Sequence, residues 1–368
     1  MIYENVLKNP DKFSFEIEAI GAPIYPNPIE TNDYTDDNER IAFSSQVKNI
    51  LKQLDECEKL PSFEKAGIRK NLFHKPENTK VAIVTCGGLC PGLNNVIKGL
   101  VSALEIEYGI KDIIGIRYGY LGLSKKSRHE PIKMTFKSID QIHKQGGTVL
   151  GSSRGNQDPV DMVNQLVSRK INLLYCIGGD GTLKGAKAIA EEIKNRNLSI
   201  SVVGIPKTID NDLSFIEKTF GFETSVQIAS DIITSAYTEA VGAENGIGIV
   251  KLMGRDSGFI SASATLANSV VDFCLVPETK FYLHGHGGLL TALERRLKER
   301  QYSVIVVAEG AGQDLFMNTA ERRDQSGNVL KEDIGTFLKR EIEEHFADIE
   351  LEASIKYFDP SYQIRSVP

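Results

Sequence analysis

The chain has 368 residues, of which 41% are hydrophobic and 25% are charged, and its net charge at pH 7 is −6. This length suits two domains or one large α/β body. The acidic balance provides no basic surface for a nucleic acid partner, and no apolar run reaches the length of a membrane span. Any phosphate binding must therefore come from local arrangements of residues.

Residues 1–79 are polar and differ in composition from the rest of the chain. They contain the acidic patch DYTDDNER, and a helix is predicted around residues 39–54. We predict an N-terminal extension that lies on the main body. The N-terminus lacks the apolar region of a secretory signal, so we expect a cytoplasmic protein.

From Lys80 onward, short β-branched runs alternate with helical periodicity. The predicted strands are 80–86, 112–119, 172–178, 199–205, 247–253, 271–276 and 303–310. The predicted helices begin near Leu93, Pro159 (capped by Asp158), Thr182 and Asp256, or span 220–240 and 288–300. This alternation implies an α/β fold with mainly parallel sheets covered by helices on both faces. Ligands in such sheets bind at the carboxyl ends of strands, where each unusual motif of this chain falls.

The cysteines are odd in number and lie in or beside apolar runs: Cys57, Cys86, Cys90, Cys176 and Cys274. We interpret them as reduced core thiols. Cys86 and Cys90 have C-x-x-x-C spacing but no second pair and no nearby histidine, which favours packing over zinc binding.

Two glycine-containing loops can be read in either of two ways. In TCGGLCPGLN, Gly87 and Gly88 make a tight turn, or they allow a phosphate to approach the backbone ahead of a helix. In GSSRGN (151–156), Arg154 is a solvated loop charge or a forked phosphate ligand.

The GGDGT motif (178–182) places Asp180 between two glycines at the carboxyl end of a predicted strand. Gly179 and Gly181 let a polyphosphate lie against the main chain, and the helix beginning at Thr182 favours negative charge. Asp180 is then placed to hold Mg²⁺ that bridges phosphate oxygens. The lysine-bearing Walker pattern is absent, so phosphate must be bound by a different arrangement of residues.

Three further motifs follow later strands. IPKTIDNDL (205–213) supplies Asp210 and Asp212, and a hydroxyl nucleophile that attacks a phosphoryl group needs such a carboxylate as base. The alternative is turn capping. KLMGRDSGF (251–259) and VVAEGAGQ (306–313) add Met253, Arg255 and Glu309 at two other strand ends.

In this combination and order, the motifs resemble those of the phosphofructokinase family. The resemblance covers Lys80 to the last residue, and its specific parts are GGLCPGLN, GGDGT, PKTIDND, MGR, EGAGQ and DPSYQIRS. It implies two Rossmann-like lobes, with a donor domain at 80–221 and a fructose 6-phosphate domain at 222–363. Residues 364–368 would return toward the donor domain, where the chain ends earlier than long relatives do.

The resemblance also implies the site residues. The phosphoryl donor would be held by Gly88, Arg154, Gly155, Gly179, Asp180, Gly181, Thr182 and Lys207, with Asp180 on magnesium. Fructose 6-phosphate would be held by Thr208, Ile209, Asp210, Met253, Gly254, Arg255, Glu309, Lys356, Tyr362 and Arg365. Catalysis would be performed by Asp210 as base, Thr208 beside the transferred phosphate, and Arg255 on the developing charge.

The implied activity is transfer of the γ-phosphoryl group of MgATP to the 1-hydroxyl of fructose 6-phosphate, in a homo-oligomer that is a tetramer by family analogy. The donor signature is mixed, because Gly181 resembles ATP users whereas Lys207 resembles pyrophosphate users. A carboxylate at position 181 would project into the volume that a nucleotide needs, so we expect ATP. A pyrophosphate-dependent enzyme and a non-catalytic regulatory subunit are the alternatives. Gly246 stands where short relatives lend an arginine to their neighbour, so phosphate binding across that interface would differ.

Overall fold

The computed structural model describes residues 2–9, 12–56, 60–316, 322–323 and 329–368. Two mainly parallel sheets dominate it, in agreement with the predicted α/β class. The strands are β1 (Tyr25–Pro26), β2 (Arg40–Ala42), β3 (Ser62–Glu64), β4 (Asn71–Leu72), β5 (Lys80–Thr85), β6 (Asp112–Ile116), β7 (Ile132–Lys133), β8 (Leu173–Gly178), β9 (Ser201–Pro206), β10 (Gly246–Leu252), β11 (Phe273–Leu275), β12 (Tyr302–Ala308) and β13 (Ser354–Phe358). The α-helices are α1 (Ile2–Lys8), α2 (Val47–Glu56), α3 (Leu93–Ser102), α4 (Pro159–Ser168), α5 (Asp180–Asn195), α6 (Phe222–Val241), α7 (Phe259–Ala267), α8 (Leu289–Arg300), α9 (Ile334–Asp348) and α10 (Gln363–Ser366).

The first large sheet has the strand order β7-β6-β5-β8-β9, with only β7 antiparallel. The chain passes from β5 to β6 on one side and then crosses to β8 on the other. The carboxyl ends of β5 and β8 therefore flank the point where the strand order reverses, which is where open α/β sheets bind ligands. The GGLC and GGDGT motifs follow these two strands.

The second large sheet has the order β11-β12-β10-β13, and its strands are all parallel. Its strand β10 is buried at nearly every position, as expected for a central strand covered by helices. A continuous core links the two sheets, because residues of β5, α6, β10 and β12 belong to one hydrophobic cluster. The carboxyl ends of β10 and β12 carry the MGR and EGAGQ motifs.

The structure confirms most of the predicted elements and corrects others. Asp158 caps α4 through its side chain, as predicted. The helix expected at 39–54 begins only at Val47, because Arg40–Ala42 pairs as β2 with β3. The helix expected from Thr182 begins at Asp180, and the one expected from Asp256 begins at Phe259.

The cysteines within the described residues are free thiols. Cys86, Cys90 and Cys176 are buried, whereas Cys274 is only partly buried. Burial raises the pKa of Cys90 to about 12, so its thiol stays protonated. Cys57 lies outside the described residues. Among the described helices, none is both long and apolar enough to cross a membrane.

Candidate active site

Two loops form one wall of the candidate site at the end of β5. Ser152 Oγ donates a 2.6 Å hydrogen bond to the Gly87 carbonyl, and the Gly87 N–H donates to the Ser153 carbonyl at 3.3 Å. The GSSRG loop is therefore fastened to the GGLC loop. This brings the loop that carries Arg154 and Gly155, predicted from one motif, against the loop that carries Gly88, predicted from another.

The GGDGT loop forms the next part of this wall. Gly179 caps α5, and Asp180 is its first residue, with a side chain that is 69% exposed and paired with Lys184 at 2.7 Å. A Cβ atom added at Gly181 would meet no atom within 4 Å, so the space beside it is open. Thr182 is buried, with its side chain against Gly178, and its carbonyl accepts a 2.7 Å bond from the Tyr120 hydroxyl.

Lys207 connects the ends of β9 and β5. Its side chain is only 4% exposed, and its ammonium group donates a hydrogen bond to the Gly88 carbonyl. Burial lowers the pKa of Lys207. A buried cation beneath the GGLC loop adds positive potential where the resemblance expects phosphate.

Asp210 follows this lysine in the TIDND turn and lies in an unusual environment. Its Oδ1 atom is buried and has no hydrogen-bond partner among the described residues. Burial, and next the negative charge of Asp212, raise the pKa of Asp210 to about 6, although Arg255 acts in the opposite direction. A buried carboxylate with an unused oxygen and a pKa near neutrality has the properties of a general base.

The turn itself is held by hydrogen bonds close to Asp210. The Asp210 N–H donates to Thr208 Oγ1 at 3.1 Å, and Thr219 Oγ1 donates to the Thr208 carbonyl at 2.6 Å. Ile209, between them, is buried in the core, so only its backbone is available to a ligand.

The opposite wall comes from the second sheet. The Arg255 N–H donates to Glu309 Oε1 at 2.9 Å, which joins the ends of β10 and β12. Gly254 has φ +143°, and a Cβ atom there would lie 2.3 Å from the Ser257 carbonyl, so the turn requires glycine. Met253 is partly buried against the core. Arg255, by contrast, is exposed at the surface of the cleft.

A serine joins the two walls. Ser257 Oγ donates a 3.0 Å hydrogen bond to the Asp210 carbonyl, and it is the contact that ties the TIDND turn to the RDSG segment. Ser257 was not predicted from the sequence as a site residue. The signal that could have identified it is its position two residues after Arg255.

The C-terminal segment enters the same cleft. The Arg365 guanidinium stacks over the Tyr362 ring at 4.9 Å, and its Nη1 lies 3.4 Å from where a Gly88 Cβ would be. Burial, and next the charge of Arg154, lower the pKa of Arg365. Three cationic residues, Arg154, Lys207 and Arg365, thus surround the GGLC loop.

Lys356 is placed differently from the other predicted residues. It lies exposed on β13, which forms one edge of the second sheet, and pairs in register with Gly248. It takes part in none of the contacts described above. Its predicted role in phosphate binding stays a prediction.

Comparisons of the sequence and the fold with known proteins point to one family. Residues 80–358 match the family described as Phosphofructokinase. A Borreliella burgdorferi protein named ATP-dependent 6-phosphofructokinase is 44% identical, over 98% of this chain and 83% of its own length. ATP-dependent 6-phosphofructokinase 7 of Arabidopsis thaliana is 47% identical, over 94% of this chain and 72% of its own length.

Solved structures share the fold at lower identity. The T-state phosphofructokinase of Pichia pastoris has a TM-score of 0.62 and 22% identity, and covers 84% of this chain and 32% of its own. The pyrophosphate-dependent phosphofructokinase of Nitrosospira multiformis has a TM-score of 0.63 and 19% identity, and covers 78% of this chain and 70% of its own.

Proposed function

This chain belongs to the phosphofructokinase family, and from that premise we propose that it is an ATP-dependent 6-phosphofructokinase. It would transfer the γ-phosphoryl group of ATP to the 1-hydroxyl of fructose 6-phosphate. The observation that carries this proposal is the buried Oδ1 atom of Asp210, which has no hydrogen-bond partner in the described ranges and lies between the glycine loops of one sheet and the Arg255–Glu309 pair of the other. The pathway that we propose for this reaction is glycolysis.

Asp210 would act as the base in this reaction. As the 1-hydroxyl oxygen forms its bond to the γ-phosphorus, Asp210 Oδ1 takes the hydroxyl proton, and the bond from the γ-phosphorus to the bridging oxygen of ADP breaks. Arg255 and Thr208 would stabilise charge on the transferred group. Catalysis would otherwise be positioning of the two substrates in line.

Asp180 fits the role of magnesium ligand. Its carboxylate is exposed beside the glycine backbone, and its partner within the described part of the chain, Lys184, forms an exposed pair of small energy. Magnesium typically binds proteins through one or two carboxylates together with substrate phosphates. When bound, it would neutralise charge on the β- and γ-phosphates. The donor phosphates would lie along Gly88, Arg154, Gly155, Gly179 and Gly181.

The choice of ATP over pyrophosphate has two supports. Relatives named as ATP-dependent are 43–48% identical to this chain over most of its length. The open space beside Gly181 leaves room for the inner phosphate and ribose of a nucleotide. Lys207 favours neither donor, because its positive charge suits both.

The donor can be tested by paired coupled assays with MgATP and with magnesium pyrophosphate, on the wild type and on Gly181→Asp. Because a Cβ atom at position 181 would meet none of the described residues within 4 Å beyond its chain neighbours and its own helix backbone, the variant should fold normally. It should lose on the order of a hundredfold in kcat/KM for ATP through repulsion of the nucleotide. Gly181→Ala is the matched control and should lose far less. Turnover with pyrophosphate but not ATP in the wild type would overturn the proposed donor.

We further propose a cytoplasmic homo-oligomer. Two plant relatives are named as chloroplastic, so fractionation of the source cells tests the location. Light scattering tests whether the assembly is the tetramer expected by family analogy.

A further inference from the structure

An aromatic cluster joins the N-terminal segment to the loop that follows Asp210. Phe15, Phe43 and Phe63 come from the N-terminal segment, and Phe215 comes from the loop. Phe215 lies 5.5 Å from Phe43 and 5.7 Å from Phe63 between ring centroids. Phe15 completes the cluster at 5.1 Å from Phe63 and 5.7 Å from Phe43. We call these four residues the phenylalanine clamp.

The backbone of Phe215 is held in an unfavourable conformation. Its φ is +69°, in the left-handed region, which is unfavourable for a residue with a side chain. Such strain persists only where surrounding contacts impose it. Aromatic pairs are stabilising, and the two ring contacts of Phe215 therefore oppose this strain. The ring itself is 48% exposed, so it is the clamp and not a deep core that holds it.

The loop that carries Phe215 is closed around Asp210. Asn211 Oδ1 accepts a 2.8 Å hydrogen bond from the Thr219 N–H, and Asn211 Nδ2 donates to the Glu217 carbonyl at 3.0 Å. Thr219 Oγ1 reaches back to the Thr208 carbonyl on the other side of Asp210. A displacement of Phe215 would therefore shift Thr208 and Asn211, the residues on either side of Ile209 and Asp210.

The N-terminal segment is fixed to the donor side independently of the clamp. His74 Nε2 lies 2.9 Å from Ser201 Oγ, at the start of β9, and Glu18 pairs with Lys194 at 2.8 Å. Strand β3 carries Phe63, and β2 ends immediately before Phe43. The two strands are paired with each other through their backbones. The N-terminal segment thus contacts the start of β9. Through the clamp, it also contacts the loop that follows the end of β9.

We propose that Phe215 is a positioning residue through which the N-terminal segment holds the Asp210 loop in its reactive geometry. It touches neither substrate nor transferred phosphate, and it acts by fixing the turn that carries the base. The predicted effects on kcat and KM rest on the proposed function, whereas the predicted effect on the geometry of the loop does not.

Phe63→Ala tests the clamp from the N-terminal side, away from the cleft. We expect kcat to fall on the order of tenfold, because small displacements of a catalytic group are costly, while KM for ATP and fructose 6-phosphate stays within about twofold. Phe73→Ala is the matched control: Phe73 lies in the same segment, is 40% exposed and is in none of the ring contacts within the described part of the chain. It should leave kcat unchanged.

Two further variants separate positioning from simple loss of stability. Phe215→Tyr keeps the ring and should keep kcat within about twofold. Phe63→Ala and Phe215→Ala should be non-additive, since each removes the same contact. Additive losses in kcat, or a Phe63→Ala kcat equal to that of the wild type, would overturn the proposal.

Hydrogen exchange supplies a readout that needs no activity. In Phe63→Ala, the backbone amides of residues 210–219 should exchange faster, while those of β5 and β8 stay unchanged. Faster exchange throughout the donor sheet, or unchanged exchange in the loop, contradicts the clamp. If the wild type phosphorylates fructose 6-phosphate with neither donor, the proposed function fails, and the exchange experiment still decides whether the clamp holds the loop.

Discussion

Asp210 shows how one side chain can be costly for stability and useful for chemistry. Its Oδ1 atom is buried without a partner among the described residues, and burial is the main reason that its pKa is raised to about 6. An acid with a raised pKa binds its proton more tightly in the folded than in the unfolded chain. The folded state therefore loses stability as pH rises from about 4 to about 6, and the ionised carboxylate weakens it above that range.

Asp210→Asn should consequently have opposite effects on activity and stability. We expect kcat to fall by 10²–10⁴-fold, because the amide cannot accept the proton. At pH 8 the free energy of unfolding should rise by on the order of 1–3 kcal/mol, because a buried charge is removed. Steady-state kinetics and urea denaturation measure the two quantities. Near-normal turnover would remove Asp210 from the role of base.

The pH dependence of kcat/KM follows from the same carboxylate. Only ionised Asp210 can accept the proton, so kcat/KM should be level above pH 7 and fall as pH drops through about 6, by about tenfold per unit below it. A pH–rate profile at subsaturating fructose 6-phosphate measures this. A profile that stays level down to pH 4.5 would contradict the assignment.

Strand β10 shows how one element links the cleft to the rest of its sheet. Lys251, near its carboxyl end, lies 2.8 Å from Asp359 Oδ2 and 3.4 Å from Asp333 Oδ1. Asp333 caps α9 and accepts a hydrogen bond from the Tyr357 hydroxyl. Although burial lowers the pKa of Lys251, its bond to Asp359 raises it overall. The lysine thus joins β10 to α9 and to the segment that leads to Tyr362 and Arg365.

Lys251→Met should weaken both the fold and sugar binding. Loss of the cation leaves two neighbouring partly buried carboxylates without a compensating charge, so the free energy of unfolding should fall by on the order of 1–3 kcal/mol. KM for fructose 6-phosphate should rise more than KM for ATP, because Asp359 begins the segment that carries Arg365. Lys280→Met, which breaks the exposed pair with Asp314, is the matched control and should cost less than about 1 kcal/mol. Equal effects of the two variants would contradict the argument.

The molecule as a whole forms its cleft where the ends of two sheets meet. The Ser257–Asp210 hydrogen bond joins the two walls, and the C-terminal segment closes them from a third direction. Ser225 Oγ, on α6, donates to the Ile364 carbonyl at 2.8 Å, and Ser366 O would lie 1.7 Å from a Cβ atom at Gly146. The last helix is therefore seated between the second lobe and a donor-side loop.

Because the two substrates would occupy different walls, each should stabilise the folded chain separately. With Asp210→Asn, which should slow turnover strongly, MgATP and fructose 6-phosphate should each raise Tm, and both together should raise it further. At a concentration 100 times Kd, each ligand adds about 2.7 kcal/mol. Differential scanning fluorimetry measures the shifts, with fructose as the control that lacks the phosphate. Absence of a shift with fructose 6-phosphate would contradict the proposed substrate site.

The sequence by itself was sufficient for the features that depend on local pattern. Alternating β-branched runs and helical periodicity predicted the strands from β5 to β12 except the short β7, because buried parallel strands need continuous apolar side chains. Glycines, carboxylates and an arginine at strand ends made Gly88, Asp180, Asp210 and Arg255 candidate site residues, because only a few residue types suit phosphate and proton transfer at such turns. The strand at Arg40–Ala42 was missed, since its partner β3 lies some twenty residues away.

Only the tertiary structure decided what those residues experience. The raised pKa of Asp210 comes from burial and from groups on other loops, and the bond from Ser257 spans 47 positions of the chain. The position of Phe215 in the clamp depends on rings more than 150 residues away in the sequence. Orphaned polar atoms and long-range contacts arise from packing between segments, and the sequence of one segment does not show which distant segment packs against it.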